Sequence, residues 1–162
     1  MKVFLSYAVG SFDSAIPARL RAVAAAYDIT VLLPERTQPY VSSLMGDTVK
    51  KIAQSDAVIA LATRTAQPDD INSLNLEVKT AAELKRPVIT LIEQEMSFYV
   101  PPNSHVIYFN RLDPTAHESS LVQVLTAMRN EIQHKQDLTT LGWIAGIALG
   151  LVALGALLAE EK

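Results

Sequence analysis

The stretch "NSLNLEVKTAAELKRPVIT", Asn72 to Thr90, places a carboxylate, Glu77, near the start of a predicted helix that leads into an apolar strand. A glutamate there is either a solvated first-turn charge that favours the helix dipole or a group held in place for chemistry. Other polar side chains lie at predicted strand ends, in the loops after them or at the start of the third predicted helix: Ser6, Tyr7, Asp13, Glu35, Arg36, Arg64 and Ser73. Several chemistries are excluded by what is missing. No G-x-G-x-x-G follows the first strand and no G-x-x-x-x-G-K-[ST] occurs, so the ordinary dinucleotide and P-loop cradles are absent. His105, His117 and His134 are scattered without an H-E-x-x-H, which argues against a metal site. There is no G-x-S-x-G elbow for a serine nucleophile. There is no cysteine, hence no thiolate nucleophile, disulfide framework or zinc-thiolate site.

The elements that must position these groups follow from hydrophobic patterning. "KVFLSYA", "ITVLLP", "DAVIALAT", "RPVITLIE" and "HVIYFN" are short apolar runs rich in strand formers. They are continuous rather than alternating, so both faces are buried, as in a parallel sheet covered by helices. Helical spacing fills the gaps. Ile16, Leu20, Val23 and Tyr27 mark a first helix, and Leu44, Val49 and Ile52 a second. "INSLNLEVKTAAELK" forms the third, with Asp69 and Asp70 placed to cap it, and "DPTAHESSLVQVLTAMRNEIQHK" the last. The expected domain is α/β: a five-stranded parallel sheet in a flavodoxin-like three-layer sandwich. In the order 2-1-3-4-5, ligands bind beyond the carboxyl ends of the first and third strands, where strand order reverses. The start of the third helix faces the same rim, which brings Asn72, Ser73 and Glu77 toward that cleft.

On the residues alone, Ser6 reads as a strand-end hydrogen-bonding group and Tyr7 as packing under the first loop. Asp13 is a helix cap or a ligand contact, Asp56 bonds backbone at the start of its strand, and Arg36 and Arg64 are solvated loop charges.

Three segments resemble the Toll/interleukin-1 receptor (TIR) domain family of bacterial type. They are "VFLSYA" with "DSAIPARL" after it, "VKKIAQSDAVIALAT", and "SLNLEVKTAAELKRPVITLI", in which a serine precedes a glutamate and a basic-proline-valine strand follows. The resemblance spans about Lys2 to Asn110. It implies an NAD glycohydrolase acting in signalling or defence, with Glu77 catalytic and NAD as substrate rather than cofactor. Loss of nicotinamide leaves an oxocarbenium-like ribose, whose charge a carboxylate stabilises. The resemblance also implies nucleotide contacts from Ser6, Tyr7, Asp13 and Ser73, with Arg36 pairing a phosphate. Leu74 and Asn75 replace the Trp-Cys common in the family, and "PERTQPY" replaces its usual second loop. Those departures keep open a non-catalytic TIR adaptor assembling at a membrane. A nucleoside deoxyribosyltransferase-like enzyme is a third reading.

The chain has 162 residues, 49% hydrophobic and 19% charged, with a formal net charge of −3. That suits one folded domain and supplies no basic face for nucleic acid. "MKVFLSYAVGSFD" has no secretory h-region. Between Asp137 and Glu160 lie 22 uncharged residues, about 33 Å of helix and enough to cross a bilayer. Gly142, Gly146 and Gly150 recur every four residues, so their shared face suits helix association in a membrane. Trp143 suits the lipid interface. The expected organisation is a cytoplasmic TIR-like domain over residues 1–136 and a single-pass C-terminal anchor over 137–162.

Overall fold

The computed structural model describes residues 1–11, 15–34, 46–102, 104–110, 119, 122, 123, 125–127, 129 and 130. The chain divides into two compact units, Met1–Val122 and Gln123–Lys162. In the second, the described residues 123, 125–127, 129 and 130 are helical. No helix among the described residues is long and apolar enough to cross a membrane. The apolar segment after Asp137, with Gly142, Gly146 and Gly150, lies outside the described residues, as does the expected boundary at 136/137.

The first unit is an α/β fold. Its elements are β1 (Lys2–Ala8), α1 (Ala15–Ala26), β2 (Thr30–Leu32), α2 (Gly46–Gln54), β3 (Ala57–Ala62), α3 (Pro68–Glu83), β4 (Val88–Glu93) and β5 (His105–Phe109). All five strands are parallel, in the order β2-β1-β3-β4-β5. This is the order expected from the apolar runs. β3 and β4 are buried along their whole length, as central strands covered on both faces must be. Asp56 accepts from the Lys2 backbone N–H at 2.7 Å and ties the start of β3 to the start of β1.

Two registers define the face that matters. Ser6 pairs with Ala60 and Ala60 with Thr90; Ala8 pairs with Ala62 and Ala62 with Ile92. Register partners in parallel strands point the same way. Phe4, Ala8, Val58, Ala60 and Ala62 pack with Ile52 of α2 and with Leu74, Val78 and Ala81 of α3. Leu5, Tyr7, Ile59 and Leu61 alternate to the opposite face. The right-handed crossover from β1 to β2 puts α1 on that opposite side.

Two helices depart from the expected pattern. In α1 the buried residues are Pro17, Leu20 and Ala24, whereas Tyr27 lies past the helix end, 38% exposed. Of the expected stripe Ile16, Leu20, Val23 and Tyr27, Leu20 is buried, Ile16 and Val23 are half-buried, and Pro17 and Ala24 complete the buried face. α3 begins at Pro68, with Gln67 as an N-cap that makes no side-chain hydrogen bond. Proline fits the first helical position because the N–H it lacks has no helical partner there. Asp69 and Asp70 therefore lie inside the first turn, where they complement the dipole instead of capping.

Candidate functional site

The earlier start of α3 changes the standing of Glu77. It is the tenth residue of the helix, two turns beyond the end that a solvated first-turn glutamate would occupy. Its neighbours on the buried stripe are Leu74, Val78 and Ala81, so it points at the sheet rather than at water. Glu77 is 2% exposed and Ser6, beneath it on β1, 0%. The Ser6 hydroxyl donates to Oε2 of Glu77. A carboxylate removed from water is costly unless hydrogen bonds replace its hydration, and Ser6 supplies one. Three alanines surround the contact on the sheet: Ala8 on the same strand, and Ala60 and Ala62 on β3. Larger side chains there would hold the helix too far off for the carboxylate to reach the strand.

The loops after β1 and β3 meet next to this pair along the sheet. Thr63 N–H extends the β1–β3 pairing to the Ala8 carbonyl at 3.0 Å. The Gly10 N–H donates to Thr63 Oγ1 at 3.4 Å, and the Thr63 and Thr65 hydroxyls lie 3.2 Å apart. A Cβ on Gly10 would lie 2.7 Å from Thr65 Cβ and 2.8 Å from its carbonyl oxygen. Glycine is therefore what lets the loops after β1 and β3 touch at the switch point.

A second buried carboxylate ends β4. Glu93, 1% exposed, accepts from the Arg64 backbone N–H at 2.8 Å and from Arg64 Nε at 2.9 Å. Arg64 also reaches Glu95 at 3.1 Å. Arg64 is thus half-exposed but paired, and it ties the loop after β3 to the turn after β4. This corrects the reading of Arg64 as a solvated loop charge.

The proposed contacts separate accordingly. Ser6 meets Glu77. Tyr7, next along β1, alternates to the other face of the sheet. Ser73 bonds the carbonyl of Asp69 at 3.0 Å, within its own helix. Asp13 and Arg36 lie outside the described residues. Leu74 is core, fully buried, and the side-chain oxygen of Asn75 is buried with no hydrogen-bond partner among the described residues. Sequence reasoning missed Glu93, Thr63 and the alanine shelf. Ala8, Ala60 and Ala62 in otherwise bulky strands were a usable signal for a close helix approach.

Burial lowers the pKa of His105, at the start of β5, below the ordinary histidine value. Among the described residues, no group of three or more His, Asp or Glu side chains is arranged to hold a metal ion. A groove of about 440 Å³ between α1 and β2, lined by Arg21, Ala25, Ile29 and Val31, includes neither Ser6 nor Glu77. The arrangement around Glu77 offers one chemical capacity. A buried, hydrogen-bonded carboxylate near the carboxyl end of a central strand can stabilise positive charge in a site shielded from water.

No family model matches the chain, and no curated protein matches it. Among solved structures, the chain is similar to a CMP N-glycosidase of Clostridium botulinum. The identity is 16% and the TM-score 0.51, over 78% of this chain and 99% of that one. At that identity the likeness establishes a shared fold.

Proposed function

We propose that this chain hydrolyses the N-glycosidic bond of a nucleotide, with Glu77 as the carboxylate at the ribose and NAD as the substrate. The observation that carries the reading is the Ser6–Glu77 pair, buried near the carboxyl end of β1 beside the switch point. Two further lines support it. The sequence resembles bacterial TIR domains around "SLNLEVKTAAELKRPVITLI", and a structure of similar fold is a CMP N-glycosidase. Both lead to chemistry at the anomeric carbon of a ribose.

The C1′–N bond breaks with its electron pair leaving on the nicotinamide, which departs as a neutral base. Positive charge develops on the ribose ring, and the Glu77 carboxylate stabilises it. Water adds at C1′ and loses a proton, giving ADP-ribose, nicotinamide and H⁺. In the same reading the apolar segment after Asp137 anchors the chain in a membrane, and the face bearing Gly142, Gly146 and Gly150 brings copies together.

The test is nicotinamide release from NAD by the full chain in detergent, compared with Glu77→Ala. Absence of release under clustering conditions, or release unchanged in Glu77→Ala, removes the NAD reading. The likeness to a CMP N-glycosidase favours a second substrate, a pyrimidine nucleoside monophosphate. Cytosine released from CMP, with NAD left intact, would select it.

A further inference from the structure

Ser6 interrupts the apolar run Val3–Phe4–Leu5 on β1, and nothing about the strand requires a hydroxyl there. Ser6 is 0% exposed, and its hydroxyl is engaged with Oε2 of a glutamate on another element. We propose that Ser6 is a positioning residue: it fixes the Glu77 carboxylate beneath the switch-point rim and does not itself touch the substrate. This rests on the N-glycosidase reading of Glu77 and replaces the expectation that Ser6 contacts the nucleotide.

The physical case has three parts. A glutamate has three side-chain torsions, and its carboxylate can swing by more than an ångström while the helix stays still. Catalytic geometry tolerates little of that: a misplacement of about 1 Å costs on the order of 100-fold in rate. Tethering Oε2 to a β-strand hydroxyl removes the freedom, because Ser6 belongs to a strand paired with β3.

A second hydroxyl separates this role from a general need for polarity under α3. Thr90 stands on the same sheet row as Ser6, with Ala60 between them. It is also 0% exposed, yet its Oγ1 has no hydrogen-bond partner among the described residues. Burial of a hydroxyl on this face is therefore tolerated without a task, whereas Ser6 is matched to Glu77.

The experiment compares the full chain in detergent with Ser6→Ala, Ser6→Cys, Thr90→Val and Glu77→Gln. Base release from NAD and from CMP is measured at steady state, with thermal melting as the fold control. Ser6→Ala is expected to lower kcat about 10- to 100-fold while KM stays within about twofold. Thr90→Val is expected to match the wild type. A raised KM with kcat preserved would make Ser6 a substrate contact and overturn the proposal, as would an unchanged kcat. If Ser6→Ala does not fold, Ser6→Cys, similar in size with a weaker donor, decides. A folded Ser6→Cys with wild-type kcat overturns the proposal. Activity that is lost in Glu77→Gln but kept in the Ser6 variants removes this inference alone. A wild-type chain that releases base from neither substrate removes the N-glycosidase reading and this inference together.

Discussion

The hydroxyl of Ser6 and the carboxylate of Glu77, 71 residues apart in sequence, meet beneath α3 in a hydrogen bond closed off from water. β1 and α3 are brought together by the sheet order, which sets β3 next to β1, with α3 packing back over both. The contact joins two unremarkable residue types into a fixed, buried carboxyl site. It also explains why a polar side chain can occupy a stripe otherwise made of Leu74, Val78 and Ala81.

Glu77→Gln separates charge from shape. The amide keeps an oxygen to accept from Ser6 and nearly the same volume, but cannot stabilise a cationic ribose. We expect kcat for base release to fall by at least about 100-fold. The melting temperature should hold or rise, because a neutral amide costs less to bury than a carboxylate. Kinetics and a thermal melt on the same preparation check both halves. A variant that retains activity would end the role of Glu77 as the charged group.

Arg64 and Glu93 make a stability prediction at the same carboxyl edge of the sheet, beyond β3 and β4. Arg64→Ala removes the guanidinium from a carboxylate that is 1% exposed. Removing one partner of a fully buried ion pair costs roughly 3–5 kcal/mol. Arg64 is half-exposed and its backbone N–H would remain, so about 2 kcal/mol is expected. Arg64→Lys should recover only part, since an ammonium cannot reproduce the guanidinium geometry. The exposed pair to Glu95 is worth little, and Glu95→Ala should change stability by less than about 1 kcal/mol. Urea denaturation curves for the three variants give the ranking. Equal losses for Arg64→Ala and Glu95→Ala would contradict it.

Continuous apolar runs made the five strands and their parallel pairing legible, but full burial on both faces holds only for the central strands β3 and β4, while the edge strands β2 and β5 are partly exposed. The switch point followed from that order. Glu77 became a candidate through the family resemblance, but its burial was not legible. Which way a helix is rotated over a sheet depends on residues far away in sequence, here Ser6 and the alanines of β3. The start of α3 was placed late because Asp69 and Asp70 look like caps, and Pro68 at the first helical position outweighed them. The Arg64–Glu93 contact was hidden for a similar reason. Neither residue carries a motif, and only the pairing of β3 with β4 brings them within reach.

Gly10→Ala tests the closure of the rim. The added Cβ would lie 2.7 Å from Thr65 Cβ and 2.8 Å from the Thr65 carbonyl oxygen, both closer than packed carbons and oxygens approach. Relief requires the two loops to separate, at a cost of about 1–3 kcal/mol. Thr65→Ala in the same chain removes the nearest atom, Thr65 Oγ1, and should return only part of the loss, because Cβ and the carbonyl oxygen remain in the way. A double-mutant cycle by denaturation measures this. Gly10→Ala that is neutral in stability would mean that the loops part freely.

The membrane proposal makes its own prediction. In vesicles, Gly146→Leu should reduce oligomers, because the leucine side chain holds apart helices that approach through Gly142, Gly146 and Gly150. The melting of the α/β unit should not change. Cross-linking in vesicles, set beside melting in detergent, distinguishes the two effects. Unchanged oligomer size would remove the glycine face as a contact.

His105 gives the pH prediction. Burial lowers its pKa below the ordinary value near 6.5, so the folded state binds fewer protons than the unfolded state wherever the unfolded histidine is charged. Unfolding free energy then rises with pH across the window between the folded pKa and about 6.5, and is flat for this group above it. Acidification from pH 7 through that window therefore destabilises the domain by forcing either a buried charge or an opening of the start of β5. His105→Gln removes the titration and should flatten the stability profile between neutrality and mild acid, leaving the acid loss due to carboxylates at lower pH. Denaturation midpoints measured at closely spaced pH values for both proteins test this. If the wild type and His105→Gln have parallel profiles across the window, burial of His105 does not couple to folding.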